Sequence, residues 1–574
     1  MNIFNSVTKE ITSIIVNKKK ELALSELNDF KGITVESPPS EFNFDLSSNI
    51  VLVLSKINKY KPIELAKKIK EILIKESKYI EKIEIAGPGF LNIKLSNEYI
   101  YQYISEIIKI NKKYGATLKN KSFNIEFVSA NPTGPMHVGH CRGAIYGDVL
   151  ANLLKFNGNK VTKEYYINDY GNQINNFVKS VFLRIRELKY KEKFVVEKDL
   201  YPGDYIVDIA NKVISLHPNI KFDNFKTDFD LLSEESLKYS MELIKSDLKK
   251  LGIEHDHFFS EKEMVRKDLV NKAIKTLEKN NFIERGFLDP PKGEDKKGWV
   301  KTKRLIFKSK LFGDDANRAL QKNDGSWTYF ANDVAYHSDK VSRGYDFLID
   351  ILGADHTGYI KRIKGAVSAL SEKKVTLECR VCQLVKLYKN GKPFKMSKRA
   401  GDFISANDLL QEVNKDSIRF MMLNRSNDME LDFDFNKVLE KNKENPVFYV
   451  QYCYARINSL FNSLNIKLND PIKSDGKSFN LNSYATNIIR KIFNWPKVIE
   501  SASNKFEPHR IPFYLYELAT LFHSYWSKGN EDEKYKFISD GKIKNLNTLF
   551  VIKALSIVIE NGMNILGVSL PKKM

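Results

Sequence analysis

The sequence predicts an α/β protein in three parts: a small α+β domain over residues 1–112, a doubly wound α/β domain over 113–415, and an all-α bundle over 416–574. Three observations predict this. The chain has 574 residues, which at about 150 residues per domain suggests three or four domains. Near Lys121 the pattern changes to a strand, a Gly/Pro loop and a helix in succession, the opening of a doubly wound sheet. After Asp408 the apolar residues recur at helical spacing to the end, apart from a polar stretch at about 468–482, and a helical bundle follows.

Each part has its own signals. In the first, residues 63–76 (IELAKKIKEILIKE) carry helical periodicity, and IEKIEIAGPGFLNIKL alternates like two strands about a Gly-Pro-Gly turn. In the second, FNIEFVSA (123–130) reads as a strand, and Ile145, Val149, Leu150, Leu153 and Leu154 share one face of the helix that follows. Residues at about 185–300 are charged and helical in period, so they are expected to form an insertion outside the sheet. RLIFKSKLFG, YDFLIDILGADH and TLECRVCQLVKLY are expected to complete the sheet.

Composition narrows the function classes. Lys and Arg number 92 against 71 Asp and Glu, a formal charge of +21 that favours a polyanionic partner. A general drift toward Lys, Asn and Ile explains the same number, because net charge says nothing about clustering. No stretch approaches the roughly 18 to 20 uninterrupted apolar residues of a membrane helix; the longest C-terminal run is broken by Lys553. The N-terminus lacks the pattern of a secretory leader, and four scattered cysteines do not make a secreted framework, so the expected location is the cytoplasm.

The loop after the first strand reads SANPTGPMHVGHCRGA (129–144). At the carboxyl end of a strand and the start of a helix, free backbone N–H groups and the helix dipole attract anions. His137 and His140 lie three apart there, and Gly139 between them lets a flat ring or a phosphate approach the backbone. A packed helix start is one alternative. Zinc is another, but it needs three or four ligands and no further ligand spacing is nearby. Downstream, KPFKMSKRAGDF carries Lys395, Lys398 and Arg399, which taken alone also suit a solvated basic loop. Cys379 and Cys382 form a single CxxC without a second pair and read as packed thiols. Tyr449, Tyr452, Tyr454 and Arg456 suit either core packing or stacking on unpaired bases.

The pair HVGH and KMSKR, with Lys398 258 residues after His140, resembles the HIGH and KMSKS motifs of class I aminoacyl-tRNA synthetases. EFVSANPTGPMHVGHCRGA, TYFANDVAYHSDK, GADHTGYIKR, KMSKRAGDF, DSIRFMML, NPVFYVQYCYARI and LGVSLPKKM, in this order, are similar to arginyl-tRNA synthetases along the whole chain. The sequence departs at Asp416-Ser417-Ile418-Arg419, where the family often has Asp-Ala-Leu-Arg, and at Tyr525-Trp526, where Phe-Tyr is usual.

The resemblance implies an N-terminal domain for the tRNA elbow, a Rossmann-type catalytic domain with an insertion, and a helical anticodon-binding domain. It implies ATP with Mg²⁺ bound to the nucleotide, arginine and its tRNA as partners, and no protein-bound metal or membrane; a monomer is expected. His137, Gly139, His140, Lys395, Met396, Ser397 and Lys398 would bind ATP, with both histidines and both lysines catalytic. Glu126, Tyr329 and Asp333 would meet the guanidinium. Ser129, Asn131 and His137 would hold the amino acid's other end, with His356 a further contact. A class I synthetase for another amino acid and an idle RNA-binding paralogue are the competing expectations.

Overall fold

The computed structural model describes residues 1–25, 30–39, 41–288, 302–394, 404–468, 470–472, 479–539 and 541–574. They divide into two units, residues 118–439 and a second made of residues 1–117 with 440–574.

The first unit is built on five parallel strands. In spatial order they are Thr376–Cys382, Phe347–Gly353, Ser122–Glu126, Lys160–Ile167 and His257–Ser260. Phe347–Gly353 is almost continuously apolar, as a parallel strand covered on both faces must be. The chain winds outward one way from Ser122–Glu126 and later the other way from Phe347–Gly353. These two neighbours therefore flank the point where strand order reverses, and ligands bind beyond the carboxyl ends there. The helix Val138–Phe156 leaves this edge and packs so close that a Cβ on Gly147 would stand 2.3 Å from the Phe127 ring.

Two charged groups on that helix reach outward from burial. The Arg142 guanidinium donates to the carbonyls of Gln383, Ser426 and Met429 at 3.0, 2.8 and 2.6 Å. Asp148 pairs with Lys163 at 3.0 Å and with buried Arg419 at 2.5 Å. These bonds tie residues 416–439, which sequence periodicity joins to the C-terminal helices, to the unit containing the sheet.

The sheet also departs from expectation. His257–Ser260, read as part of the insertion, is its edge strand; four residues are too short a run to show a period. The helical insertion begins at Asn172 and comprises Asn172–Tyr190, Asp204–Leu216 and Phe225–Lys250, with an apolar core of its own. Arg304–Phe307 belongs to a separate three-stranded antiparallel sheet, and Val385–Lys389 pairs with Leu431–Asp434, a strand within the region expected to be wholly helical.

In the second unit a four-stranded antiparallel sheet and helices from residues 1–117 pack with the C-terminal helices. Polar groups fix the joint. Buried Asp45 accepts from the Leu95 N–H at 2.9 Å and from Arg490 Nε at 2.7 Å, while Trp495 Nε1 donates to the Tyr114 carbonyl at 2.9 Å. The helix Leu546–Leu566 corrects the reading that nothing approaches membrane-spanning length. It is long and apolar enough by length and composition, but 89% of its most apolar stretch is buried in the protein, so it serves as the core helix of the bundle.

Asp45→Ala removes the acceptor for Arg490 and leaves that cation without its buried partner. Breaking such a pair costs about 3 to 5 kcal/mol. Amide exchange over 80–95 and 483–493 should show opening free energies lower by about that amount, and unchanged protection would count against this joint.

Candidate active site

The strand Ser122–Glu126 ends in a strained turn. Val128 and Ser129 have φ of 71° and 40°, a left-handed conformation that a β-branched residue rarely adopts. Surrounding bonds hold it. Phe127 N–H donates to the Glu164 carbonyl at 3.3 Å, the Tyr165 hydroxyl to the Ala130 carbonyl at 2.7 Å, and Tyr166 N–H to Ser129 Oγ at 3.1 Å. The turn places Ser129 Oγ to donate to Glu126 Oε1 at 3.0 Å.

His137 is the N-cap of the next helix and His140 its third residue, and each side chain bonds to the other's backbone. His140 Nδ1 accepts the His137 N–H at 3.3 Å, which leaves the ring proton on Nε2. The two rings stack with centroids 3.6 Å apart. A Cβ on Gly139 would stand 2.8 Å from the His137 ring, so the glycine is required by the stacked imidazole itself. Burial disfavours imidazolium at both positions, and for His140 the neighbouring ring adds to it, lowering its pKa to about 3. Two neutral imidazoles therefore stand at a helix N-terminus, a donor arrangement suited to phosphate.

A buried ionic network lies beside them. Lys340, fully buried on the helix Tyr329–Ser342, donates to Glu126 at 2.5 Å and to Asp350 at 2.9 Å. His337 bonds Asp350 through Nε2 and the Asp333 carbonyl through Nδ1, both at 2.8 Å. Burial opposes the charge on His337, but Asp350 outweighs it and raises its pKa. Burial likewise raises Asp350, and Lys340 and His337 outweigh it, so Asp350 is held below the ordinary carboxylate range. Arg343 grips Glu164 with two bonds of 2.7 and 2.8 Å.

Two further carboxyls in this place have no ion-pair partner among the described residues. Asp333 accepts from the Tyr359 hydroxyl, and Glu261 from Asn332 Nδ2 at 3.1 Å and from the Tyr166 hydroxyl. Burial raises the pKa of both; the Tyr359 bond and His337 lower Asp333 less than burial raises it, and Asp333 raises Glu261 further. A planar cation with several N–H donors would satisfy them.

Of the residues singled out from sequence, Glu126, Ser129, His137, Gly139, His140 and Asp333 line this edge. Tyr329 is the first residue of Asp333's helix, one turn away and 84% exposed, with Lys322 Nζ 5.9 Å from its ring. Asn131 accepts from Asn168 Nδ2 at 3.1 Å. His356 is exposed and pairs with Asp355 at 3.3 Å; the residue of its segment that reaches Asp333 is Tyr359. Lys395, Met396, Ser397 and Lys398 lie outside the described residues. Glu261 and Tyr166 carry no motif, Glu261 being a lone acid after a four-residue strand, whereas Tyr359 lies within GADHTGYIKR, whose resemblance points to His356 instead. In the bundle, Tyr454 is core, and Arg456 lies over the Tyr452 and Trp526 rings at 4.2 and 5.2 Å. Among the described residues no group of three His, Cys, Asp or Glu is placed to hold a metal.

His140 binds its proton in the unfolded chain below about pH 6.5 but in the folded chain only near pH 3. Stability therefore falls as pH drops through that window, by about 1.4 kcal/mol at pH 5.5 for this one residue. His140→Asn, which keeps an acceptor for the His137 N–H, should lose less stability between pH 7.5 and 5.5 by that margin in urea titrations.

Comparisons with known proteins agree on one family. The description "Arginyl tRNA synthetase N terminal domain" matches residues 6–95, "tRNA synthetases class I (R), catalytic domain" residues 103–461, and "DALR anticodon binding domain" residues 450–574. An arginine–tRNA ligase of Pelagibacter ubique is 52% identical over all of both chains, and one of Wolbachia pipientis 42% identical over 99% of each. A solved structure from Campylobacter jejuni assigned to the arginyl-tRNA synthetases is 32% identical. It covers 84% of this chain and all of its own, with a TM-score of 0.73. The arginyl-tRNA synthetase of Thermus thermophilus, 18% identical, shares the fold over 99% of this chain and all of its own, with a TM-score of 0.69.

Proposed function

Because the chain belongs to the arginyl-tRNA synthetases, we propose that the groups beyond the strand Ser122–Glu126 and along the helix Tyr329–Ser342 are the machinery of its arginine–tRNA ligase reaction. That reaction joins arginine to tRNA at the expense of ATP and yields AMP and pyrophosphate. One observation supports the site assignment above others. A helix N-terminus with two neutral imidazoles shares one sheet edge with the carboxyls of Asp333 and Glu261, which have no ion-pair partner among the described residues.

Activation requires the arginine carboxylate to attack the α-phosphorus of ATP as pyrophosphate leaves, so placement and positive potential matter more than a protein nucleophile. His140 Nε2–H and the helix N-terminus would donate to phosphate oxygens. Gly139 leaves the backbone open to the nucleotide, and His137 serves both nucleotide and amino acid. Lys395 and Lys398, with Met396 and Ser397, would contribute charge to the departing pyrophosphate. Mg²⁺ arrives with ATP as part of that substrate, held by phosphates and water.

Asp333, Glu126 and the Tyr329 hydroxyl would meet the guanidinium, while Ser129 and Asn131 hold the amino and carboxylate end. His356 is assigned a lesser contact at the mouth. The exposed faces of Tyr449, Tyr452 and Arg456 suit anticodon bases. A cytoplasmic monomer completes the reading.

Asp333→Asn keeps the shape and removes a charge. Arginine affinity should fall by about 2 to 5 kcal/mol in calorimetry with ATP binding intact. Affinity for the unaltered protein should also weaken as pH falls through the raised Asp333 pKa, because the protonated carboxyl no longer faces a cation with charge.

Activation is further expected to require tRNA, the productive arrangement being a minor state that tRNA favours by differential affinity. Arginine-dependent ATP–pyrophosphate exchange should be nearly absent without tRNA and should appear with cognate tRNA whose terminal ribose is oxidised. Strong exchange by the protein alone would refute the coupling and leave the ligase reading standing.

A further inference from the structure

The helical insertion grips the nucleotide loop at its root. Asp247, in the last turn of Phe225–Lys250 and 5% exposed, accepts the Met136 N–H on Oδ2 at 3.3 Å, immediately before His137. Tyr205, on the helix Asp204–Leu216, donates its hydroxyl to the Thr133 carbonyl at 3.0 Å. Its ring lies so near Gly134 that a Cβ there would approach to 2.9 Å.

The same stretch of loop is bonded to the chain that enters the helix Ala406–Glu412. Val138 N–H donates to the Ile404 carbonyl at 2.9 Å and Ala406 N–H to the Met136 carbonyl at 2.8 Å, forming the bridge between His137 and Ser405. Lys250, three residues after Asp247, donates to Asn407 Oδ1 at 2.7 Å. One helix end therefore holds both strands of this bridge. A cavity of about 310 Å³ lined by Tyr205, Leu243, Asp247, Lys250, Ser405 and Asn407 lies in the joint beside these polar bonds.

We infer that Asp247 is a positioning residue for amino-acid activation: through the Met136 N–H it sets the stacked His137–His140 pair, and with Tyr205 it makes the helical insertion a support for the nucleotide loop. The inference rests on the reading of that loop as the ATP site. Met136 is buried and its N–H precedes the N-cap, so a shift there moves the imidazole that caps the helix. Misplacement by a fraction of an ångström at such a site costs rate more than binding.

The test uses the full chain with cognate tRNA. Asp247→Ala should slow single-turnover adenylate formation by roughly tenfold, the value of one hydrogen bond to a charged acceptor. Arginine and tRNA dissociation constants should stay within about twofold, since neither ligand is read by this residue. Asp247→Asn, whose Oδ1 can still accept the Met136 N–H, should recover most of the rate, and Tyr205→Phe should impair the same step. Unimpaired activation in Asp247→Ala overturns the inference. So does equal loss in Asp247→Ala and Asp247→Asn together with lost arginine and tRNA binding, which marks a role in folding alone. Absence of activation by the unaltered protein with tRNA would instead refute the ligase reading beneath it.

Discussion

The ammonium group of Lys340, fully buried between Glu126 and Asp350, is the interaction on which the catalytic unit depends. Carboxylates on buried parallel strands are costly to keep charged, and only close, well-bonded cations offset that cost. Lys340 compensates Glu126 and Asp350, Arg343 compensates Glu164, and His337 adds a second donor to Asp350. Asp333 and Glu261 are left over. The pocket thus keeps a deficit of positive charge that a guanidinium can fill, while an uncharged side chain would leave buried acceptors unsatisfied.

The adjoining edge, proposed for phosphate, is built by the opposite means. Around His137 and His140 themselves it relies on dipoles, a helix N-terminus, two neutral rings and strained backbone after Phe127, with the Asp247 carboxylate bonded to the Met136 N–H at the loop's root. Neutrality of the rings matters because His140 Nδ1 is already an acceptor for backbone and cannot be protonated without losing that bond. Fixed dipoles need little reorganisation as charge grows on phosphate. The strain at Val128 and Ser129 is held by bonds to the strand Lys160–Ile167, which ties loop shape to the same strand that supplies Glu164.

Much of this was legible in the sequence, for identifiable reasons. The strand, loop and helix at 122–156 carry the apolar period, the turn residues and the histidine spacing within one short window, and they fold in that order, except that the strand expected to reach Ala130 ends at Glu126 and turns at Val128 and Ser129. Asp333 was recognised because it sits in a motif, TYFANDVAYHSDK, that also contains Lys340 and His337. Glu261 was not, because its importance arises from the edge strand His257–Ser260, whose four residues show no period and whose pairing is fixed only by the sheet. Leu431–Asp434 escaped notice for a related reason: its partner Val385–Lys389 is distant in sequence, and Arg142, which holds this region through three carbonyls, sits in a helix with nothing local to announce it. Periodicity reports local burial; it does not report which distant groups a buried charge will gather.

Electrostatics also resolves an opposition in the molecule. The chain is strongly basic, with a formal charge of +21, yet the candidate amino-acid site holds the Asp333 and Glu261 carboxyls, which have no ion-pair partner among the described residues. The two features act over different distances. Exposed lysines and arginines sum to a long-range field that steers a polyanion and is screened over about 8 Å at physiological ionic strength. The carboxyls of Asp333 and Glu261 act at hydrogen-bond range in a poorly solvated pocket, where screening by salt is weak. A basic surface can therefore attract tRNA without repelling arginine from its site. On the proposed assignment, selection for arginine rests on geometry and on the Asp333 and Glu261 carboxyls, and it would persist if the surface charge were reduced.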